Sequence, residues 1–194
     1  MSARASTAEL YKELEKLPEH VVGEIVGGEL YVSPRPASPH ARAASVLGGE
    51  LFGPFDRGRN GPGGWILLDE PELHLGDDVM VPDMAGWRRE RMPRLLNVPY
   101  FTLAPDWICE VLSKSTARLD IRGKLPRYAQ AGINHAWIID PIYRTLQVFR
   151  RRESEWTLVG GHGGEDKVRA EPFDALELEL GTLWLPDEDP PPER

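Results

Sequence analysis

Apolar positions recur along the chain in two rhythms, one helical and one strand-like. Near the start, Leu10, Leu14 and Leu17 share one helical face behind Ser6-Thr7-Ala8-Glu9, spaced as a capping box, and Pro18 closes that helix. His20 to Val26 and Glu29 to Ser33 flank Gly27-Gly28, the two-residue signal of a β-hairpin. A second helix is expected with Ser38 as its cap, Pro39 at its first position and a stripe of Ala41, Ala44, Leu47 and Leu51. From Trp65 the apolar runs shorten and turn residues separate them. Trp65 to Asp69, Glu72 to Leu75, Val79 to Val81 and Met84 to Trp87 read as strands. Arg88 to Tyr100, broken by Pro93 and Pro99, reads as a charged loop, and Trp107 to Leu112 as a central strand.

Thr116 to Ala131 has helical composition, with Gly132 as its stop and Pro126 expected to kink or divide it. Ala136 to Ile139 and Leu146 to Arg150 form the next strand pair, and Trp156 to Val159 and Leu176 to Leu180 look like further strands. Gly160 to Gly164 reads as a flexible turn. This order predicts an α+β (mixed α/β) fold: a central mixed sheet flanked by helices, with an N-terminal helix and β-hairpin in front. The crossover from Trp107–Leu112 to Ala136–Ile139 predicts one parallel pair. One domain over residues 1–185 is expected, followed at 186–194 by a disordered tail of four prolines and four acids.

Composition narrows the possible classes. No run of 18 apolar residues is present and Met1 to Lys16 lacks a secretory h-region, so a cytoplasmic protein without a membrane span is expected. The single cysteine, Cys109, excludes an intramolecular disulfide, and the 5 histidines are too scattered for a local zinc motif. With 23 basic and 31 acidic residues the net charge is −8, which disfavours generic coating of polyanions. The basic residues are clustered all the same: Arg88 to Arg94, Lys114 to Arg127, and Arg150 to Arg152. Each cluster is either a solvated face or a ridge able to hold a phosphate backbone near a site.

Glu110 is the most informative residue, because every neighbour in Trp107-Ile108-Cys109-Glu110-Val111-Leu112 is apolar. Alternation puts it on the face of Ile108 and Leu112, where a carboxylate needs a cationic partner, a proton or a metal. Either an arginine salt bridge or a metal site would satisfy it. Asp106 cannot share an ion with it, since four strand residues span about 13 Å. Asp83, in Pro82-Asp83, comes from another strand and is the better partner, unless it is an ordinary turn aspartate. Lys124 either pairs with Asp120 four residues earlier or points toward the acids, where a fixed ammonium stabilises charge on a phosphate. There is no G-x-S-x-G elbow, and Gly123-Lys124-Leu125 does not complete a phosphate loop.

Several of these segments, in order, carry a resemblance. Glu24 to Leu30, Ser33-Pro34, Ser38-Pro39-His40, Val81-Pro82-Asp83-Met84, and above all Pro105 to Thr116 followed by Asp120, Lys124, Tyr128 and Trp137 to Pro141, resemble the Uma-two family. That family is placed among restriction endonucleases of the PD-(D/E)XK nuclease superfamily, and the likeness spans roughly residues 20–150. It implies a restriction-endonuclease-like core and Mg²⁺- or Mn²⁺-dependent cleavage of phosphodiester bonds in DNA. Asp83, Glu110 and the main-chain carbonyl of Val111 would hold the ion. The superfamily's lysine would fall at Leu112 here, and the resemblance implies that Lys124 replaces it from the next helix. Glu29 and His40 match further family positions as auxiliary site residues. A homodimer would suit cutting of both strands. The alternative, given the displaced lysine and the acidic charge, is a nuclease-fold binding or assembly protein that no longer cuts.

Overall fold

The computed structural model describes residues 6–186, so of the expected tail residues 187–194 lie outside the described residues. The chain opens with α1 (Thr7–Leu14), whose capping box is formed as expected, Ser6 and Glu9 each accepting from the other's backbone N–H. β1 (Val21–Ile25) and β2 (Leu30–Pro34) then form the hairpin, with Gly27 and Gly28 both at positive φ, as a tight turn between right-twisted strands requires.

α2 (Ser38–Leu51) differs from expectation at its start and in its phase. Ala37, not Ser38, is the cap residue, and it makes no side-chain cap bond. The buried positions are His40, Ala43, Leu47, Gly48 and Leu51, so the helix turns Ala41 outward and Ala43 inward. A π-helical turn, Phe52–Asp56, follows it.

β3 (Trp65–Asp69), β4 (Leu73–Leu75), β5 (Asp78–Met80), β6 (Met84–Arg88) and β7 (Trp107–Val111) follow the expected strand runs closely. The predicted 116–131 helix is divided. α3 (Ala117–Leu119) passes into a π-helical stretch, Asp120–Lys124, and then into α4 (Leu125–Gln130), with Pro126 in its first turn. Proline has no N–H to give to the preceding turn, and the break falls just upstream of it. β8 (His135–Asp140), β9 (Thr145–Arg152) and β10 (Glu155–Gly163) complete the large sheet. Gly160 to Gly163 is therefore strand rather than flexible turn, paired to β9 with a bulge between Leu158 and Gly160. β11 (Lys167–Val168) and β12 (Leu178–Glu179) are two-residue strands, and the expected strand to Leu180 becomes a 3-10 turn at Leu180–Leu183.

The central sheet has the order β10-β9-β8-β7-β6-β3 and is antiparallel except between β7 and β8, the pair joined by the α3–α4 crossover. A second sheet, β2-β1-β5-β4, carries the hairpin. Alternation along β7 divides the core. Trp107, Cys109 and Val111 pack on the α2 side with Leu47, Phe55 and the C-terminal Phe173 and Leu183. Ile108 and Leu112 face the other way, toward Tyr128 and Leu125 of α4 and toward Leu73 and Met80 of the second sheet. Glu110 belongs to this second face. No helix among the described residues is long and apolar enough to cross a membrane.

Phe173 is the hub of the first core, its ring within 4.6–5.6 Å of the centroids of Phe55, Trp65, Trp107 and Trp137. Truncating it leaves a cavity that four rigid rings cannot close. We expect Phe173→Ala to lower the unfolding free energy by about 3–5 kcal/mol in urea titrations. A loss below about 1 kcal/mol would show that the C-terminal segment does not complete this core.

Candidate active site

The second face of the central sheet holds a polar cluster inside an otherwise apolar layer. Glu110, 1 % exposed, lies on β7 under α4, and the Tyr128 hydroxyl donates to its Oε1 at 2.7 Å. Lys124, 2 % exposed, comes down from the π-helical stretch and places its Nζ 2.9 Å from the same Glu110 oxygen. That ammonium also lies 2.9 Å from Glu24 Oε1 on β1 and 3.4 Å from Asp120 Oδ1, and it donates to the Val81 carbonyl at 3.0 Å. Four oxygens from three carboxylates and one carbonyl thus surround one buried charge.

The backbone helps to hold the group in place. Leu125 N–H donates to the Asp120 carbonyl five residues back, the wide turn of a π-helix. Asp120, Lys124 and Tyr128, four apart, all reach the cluster from this segment. Gly123 lets the segment lie against the hairpin, since an added Cβ would come within 2.9 Å of Leu119 and 3.3 Å of Val26. Val81 is held from both sides, its N–H donating to Glu24 Oε1 at 2.7 Å and its carbonyl accepting from Lys124.

Two residues further on, Asp83 is fixed in turn. Its Oδ2 accepts from the Val111 N–H at 2.6 Å, and its Oδ1 lies 2.9 Å from His40 Nε2 on α2. Val111 therefore meets Asp83 through its amide. The other ring nitrogen of His40, Nδ1, is buried without a partner. Asp83, Glu110, Lys124, Glu24, Asp120 and His40 all line one cleft of about 50 Å³, room for an ion with a water or two and far too small for a nucleotide. Asp83 and His40 also border a wider groove of about 530 Å³ along the small residues of α2.

The charges are strongly coupled. Burial pushes the Glu110 carboxyl well above its ordinary range, Lys124 pulls it back only in part, and Asp120, Asp83 and Glu24 raise it further. Asp120 is raised for the same leading reason. Burial alone would lower Lys124, but Glu110, Tyr128, Glu24 and Asp120 together hold its ammonium well above the ordinary lysine range. The direction for the cluster is one fixed ammonium among three carboxyl groups, of which burial raises Glu110 and Asp120. His40 is disfavoured as a cation by burial, yet its contact with Asp83 leaves it raised overall.

No group of three or more His, Cys, Asp and Glu side chains among the described residues is arranged to cage a metal ion. The donor set nonetheless fits a hard cation of the Mg²⁺ type, which is commonly held by one or two carboxylates while water and substrate phosphate fill the remaining positions. Asp83 and Glu110 both line the cleft, and a carboxylate with two partners keeps lone pairs to offer.

A family model with the description "Putative restriction endonuclease" matches residues 8–181. The chain belongs to the Uma2 family. A crystal structure described as "a putative nuclease belonging to DUF820", from Anabaena variabilis ATCC 29413, is similar with a TM-score of 0.73 and 23% identity. The match covers 92% of this chain and 97% of that one, and it shows a shared nuclease-like fold. No curated protein matches.

Within this Uma2 chain the structure sorts the expected site residues. Asp83, Glu110, Lys124 and His40 come together around one cleft. Glu29 does not line it. It sits exposed beside the hairpin turn, where Tyr31 donates to it. The hairpin acid that does enter is Glu24, which sequence reasoning misses although it stands before Ile25-Val26 much as Glu110 stands among apolar neighbours. Asp120, expected only as a helical partner of Lys124, is itself buried in the cluster. Asp106 is at the far end of β7, paired with Arg91 at 2.9 Å.

Removing the ammonium tests how the acids are held. Lys124→Met keeps the volume but leaves Glu24, Glu110 and Asp120 facing one another, and we expect a loss of about 3–5 kcal/mol at pH 8. A carboxyl raised in the folded state contributes stability that is complete below its ordinary pKa and is lost as pH rises through the raised value. The defect should therefore shrink at pH 5, read from urea midpoints of variant and wild type. A defect that grows on acidification would contradict this electrostatic account.

Proposed function

We propose that the protein is a Mg²⁺- or Mn²⁺-dependent endonuclease that hydrolyses phosphodiester bonds in DNA. The observation that carries this reading is the Lys124 ammonium, fixed 2.9 Å from Glu110 in a cleft that Asp83 also lines. A buried acid and a buried ammonium beside a second acid supply the charges that hydrolysis of a phosphate ester needs. Membership of a family described as restriction endonucleases supports the same chemistry.

Asp83, Glu110 and the Val111 carbonyl would hold the ion. When bound, such an ion polarises the scissile phosphate and lowers the pKa of an attacking water. The chain's own groups do the rest. Lys124, unable to turn away from its four oxygen partners, offers a preorganised positive charge to the phosphate as negative charge develops on it. Tyr128 donates to Glu110 and His40 to Asp83, so each acid is held in one orientation. The apolar layer around Glu110 keeps bulk water away and strengthens these interactions.

One observation favours a second reading, a nuclease-fold protein that binds without cutting. Every oxygen contact of Lys124 is also what a purely structural ion cluster would make. Calorimetric titration with Mn²⁺ separates the two readings. The enzyme reading expects ion-dependent heat that disappears in Asp83→Asn, together with nicking of supercoiled plasmid by the wild type. Glu110→Gln should slow that nicking by more than about 100-fold, beyond the cost of losing an outer-shell partner, in protein that circular dichroism shows to be folded at the assay temperature. Absence of Mn²⁺ heat with no cleavage would leave the structural cluster as the answer, and undiminished nicking by Glu110→Gln would overturn the assigned role.

A further inference from the structure

The acid cleft is too small to account for substrate affinity, so binding must come from surfaces around it. A groove of about 660 Å³ lies between the hairpin and the α3–π segment. Arg118, Arg122 and Arg127 line one wall, and Glu29, Tyr31 and Ser33 line the other. Ser33 also lines the acid cleft, so the two spaces share a wall. The hairpin register pairs Val22 with Ser33 and Glu24 with Tyr31. One face of the hairpin therefore runs from the buried acids outward to this groove.

The arginines of the groove differ in their partners. Arg127 is spoken for, its Nε 3.1 Å from Asp78 and its Nη1 donating to the Gly123 carbonyl. Arg118 and Arg122 are exposed, and among the described residues neither has a carboxylate partner. Exposed arginines without an acid partner occur elsewhere in the described chain, Arg57, Arg59 and Arg94 among them. What distinguishes Arg118 and Arg122 is their place, since both line a groove that shares Ser33 with the acid cleft. They stand four residues apart, on neighbouring positions of one helical face, as Asp120 and Lys124 do toward the interior. One acid, Glu29, faces them across the groove and is engaged by Tyr31.

We propose that this groove is the track on which the phosphate backbone of the nucleic acid lies as it leads to the acid cleft, with Arg118 and Arg122 gripping phosphates flanking the one that is cut. The inference rests on the nuclease reading for the identity of its ligand, and it adds what the cleft cannot supply, a place for the rest of the strand. Paired guanidinium groups suit phosphate oxygens through bidentate hydrogen bonds. The residues are positioning residues, acting through placement of the substrate.

The test reads binding rather than cutting, in a Glu110→Gln background that keeps the oligonucleotide intact. Anisotropy of a labelled DNA oligonucleotide is followed from 50 to 200 mM KCl, with and without Arg118→Gln/Arg122→Gln. Each phosphate contact contributes about 0.9 to the slope of log K against log salt on duplex DNA and about 0.7 on a single strand. The double variant should therefore flatten the slope by about 1.8 when a duplex is titrated and by about 1.4 when a single strand is titrated, and the form that shows the flattening is the one the groove accepts. A control removing the same charge at exposed Arg57 and Arg59 should leave the slope nearly unchanged. An unchanged slope in the groove variant, or an equal fall in the control, would overturn the proposal. A wild type that fails to nick plasmid while the slope still flattens would sink the nuclease reading and leave the groove standing.

Discussion

A single buried ammonium group organises this protein's interior. Lys124 sits where three chain segments converge, and each supplies an acid: Glu24 from the hairpin, Glu110 from the central strand, Asp120 from the crossover. An unpaired carboxylate in the layer occupied by Ile108 and Leu112 would be costly, and so would an unpaired lysine. Each group is tolerable only because the others are there. The cluster thereby fixes how the small sheet docks on the large one, and it pins the Val81 backbone from both sides. From there Asp83 has little freedom, since Val111 and His40 hold its two oxygens.

Much of the framework is legible in the sequence. The capping box, the Gly27-Gly28 hairpin, the strands from Trp65 to Trp87 and the parallel crossover all rest on local rules, and local rules dominate there. The departures have physical causes. Small residues suggest one phase for α2, whereas burial is decided by which face the sheet covers, and so Ala43 replaces Ala41. The glycines at 160–163 suggest a loop because they offer no side chains to a pattern, yet at the margin of a sheet glycine can still pair and bulge. Pro126 correctly announces a break, but not that the break takes the form of a π turn.

The site is legible where an acid interrupts an apolar run, as at Glu110. It is illegible where the decisive fact is long-range. Glu24 and Glu29 both belong to the hairpin, and only the register and docking of that hairpin show which one enters the cleft. Lys124 and Asp120 are four apart in sequence, which suggests a surface pair. Burial turns the same spacing into part of a larger cluster. Nor can a residue pattern show that Arg118 and Arg122 lack the partners that neighbouring arginines have.

The widened turn at Asp120–Lys124 carries one more consequence. An ordinary helix advances about 100° per residue, so the extra residue in this turn resets the phase between the helical segments on either side of it. A substitution at exposed Ile121 can be absorbed by its own side chain, whereas dropping a single residue would rotate Asp120 out of line with Lys124 and Tyr128. Kin that keep the ammonium in place should therefore align across this segment without gaps, whatever residue they carry at that outward position.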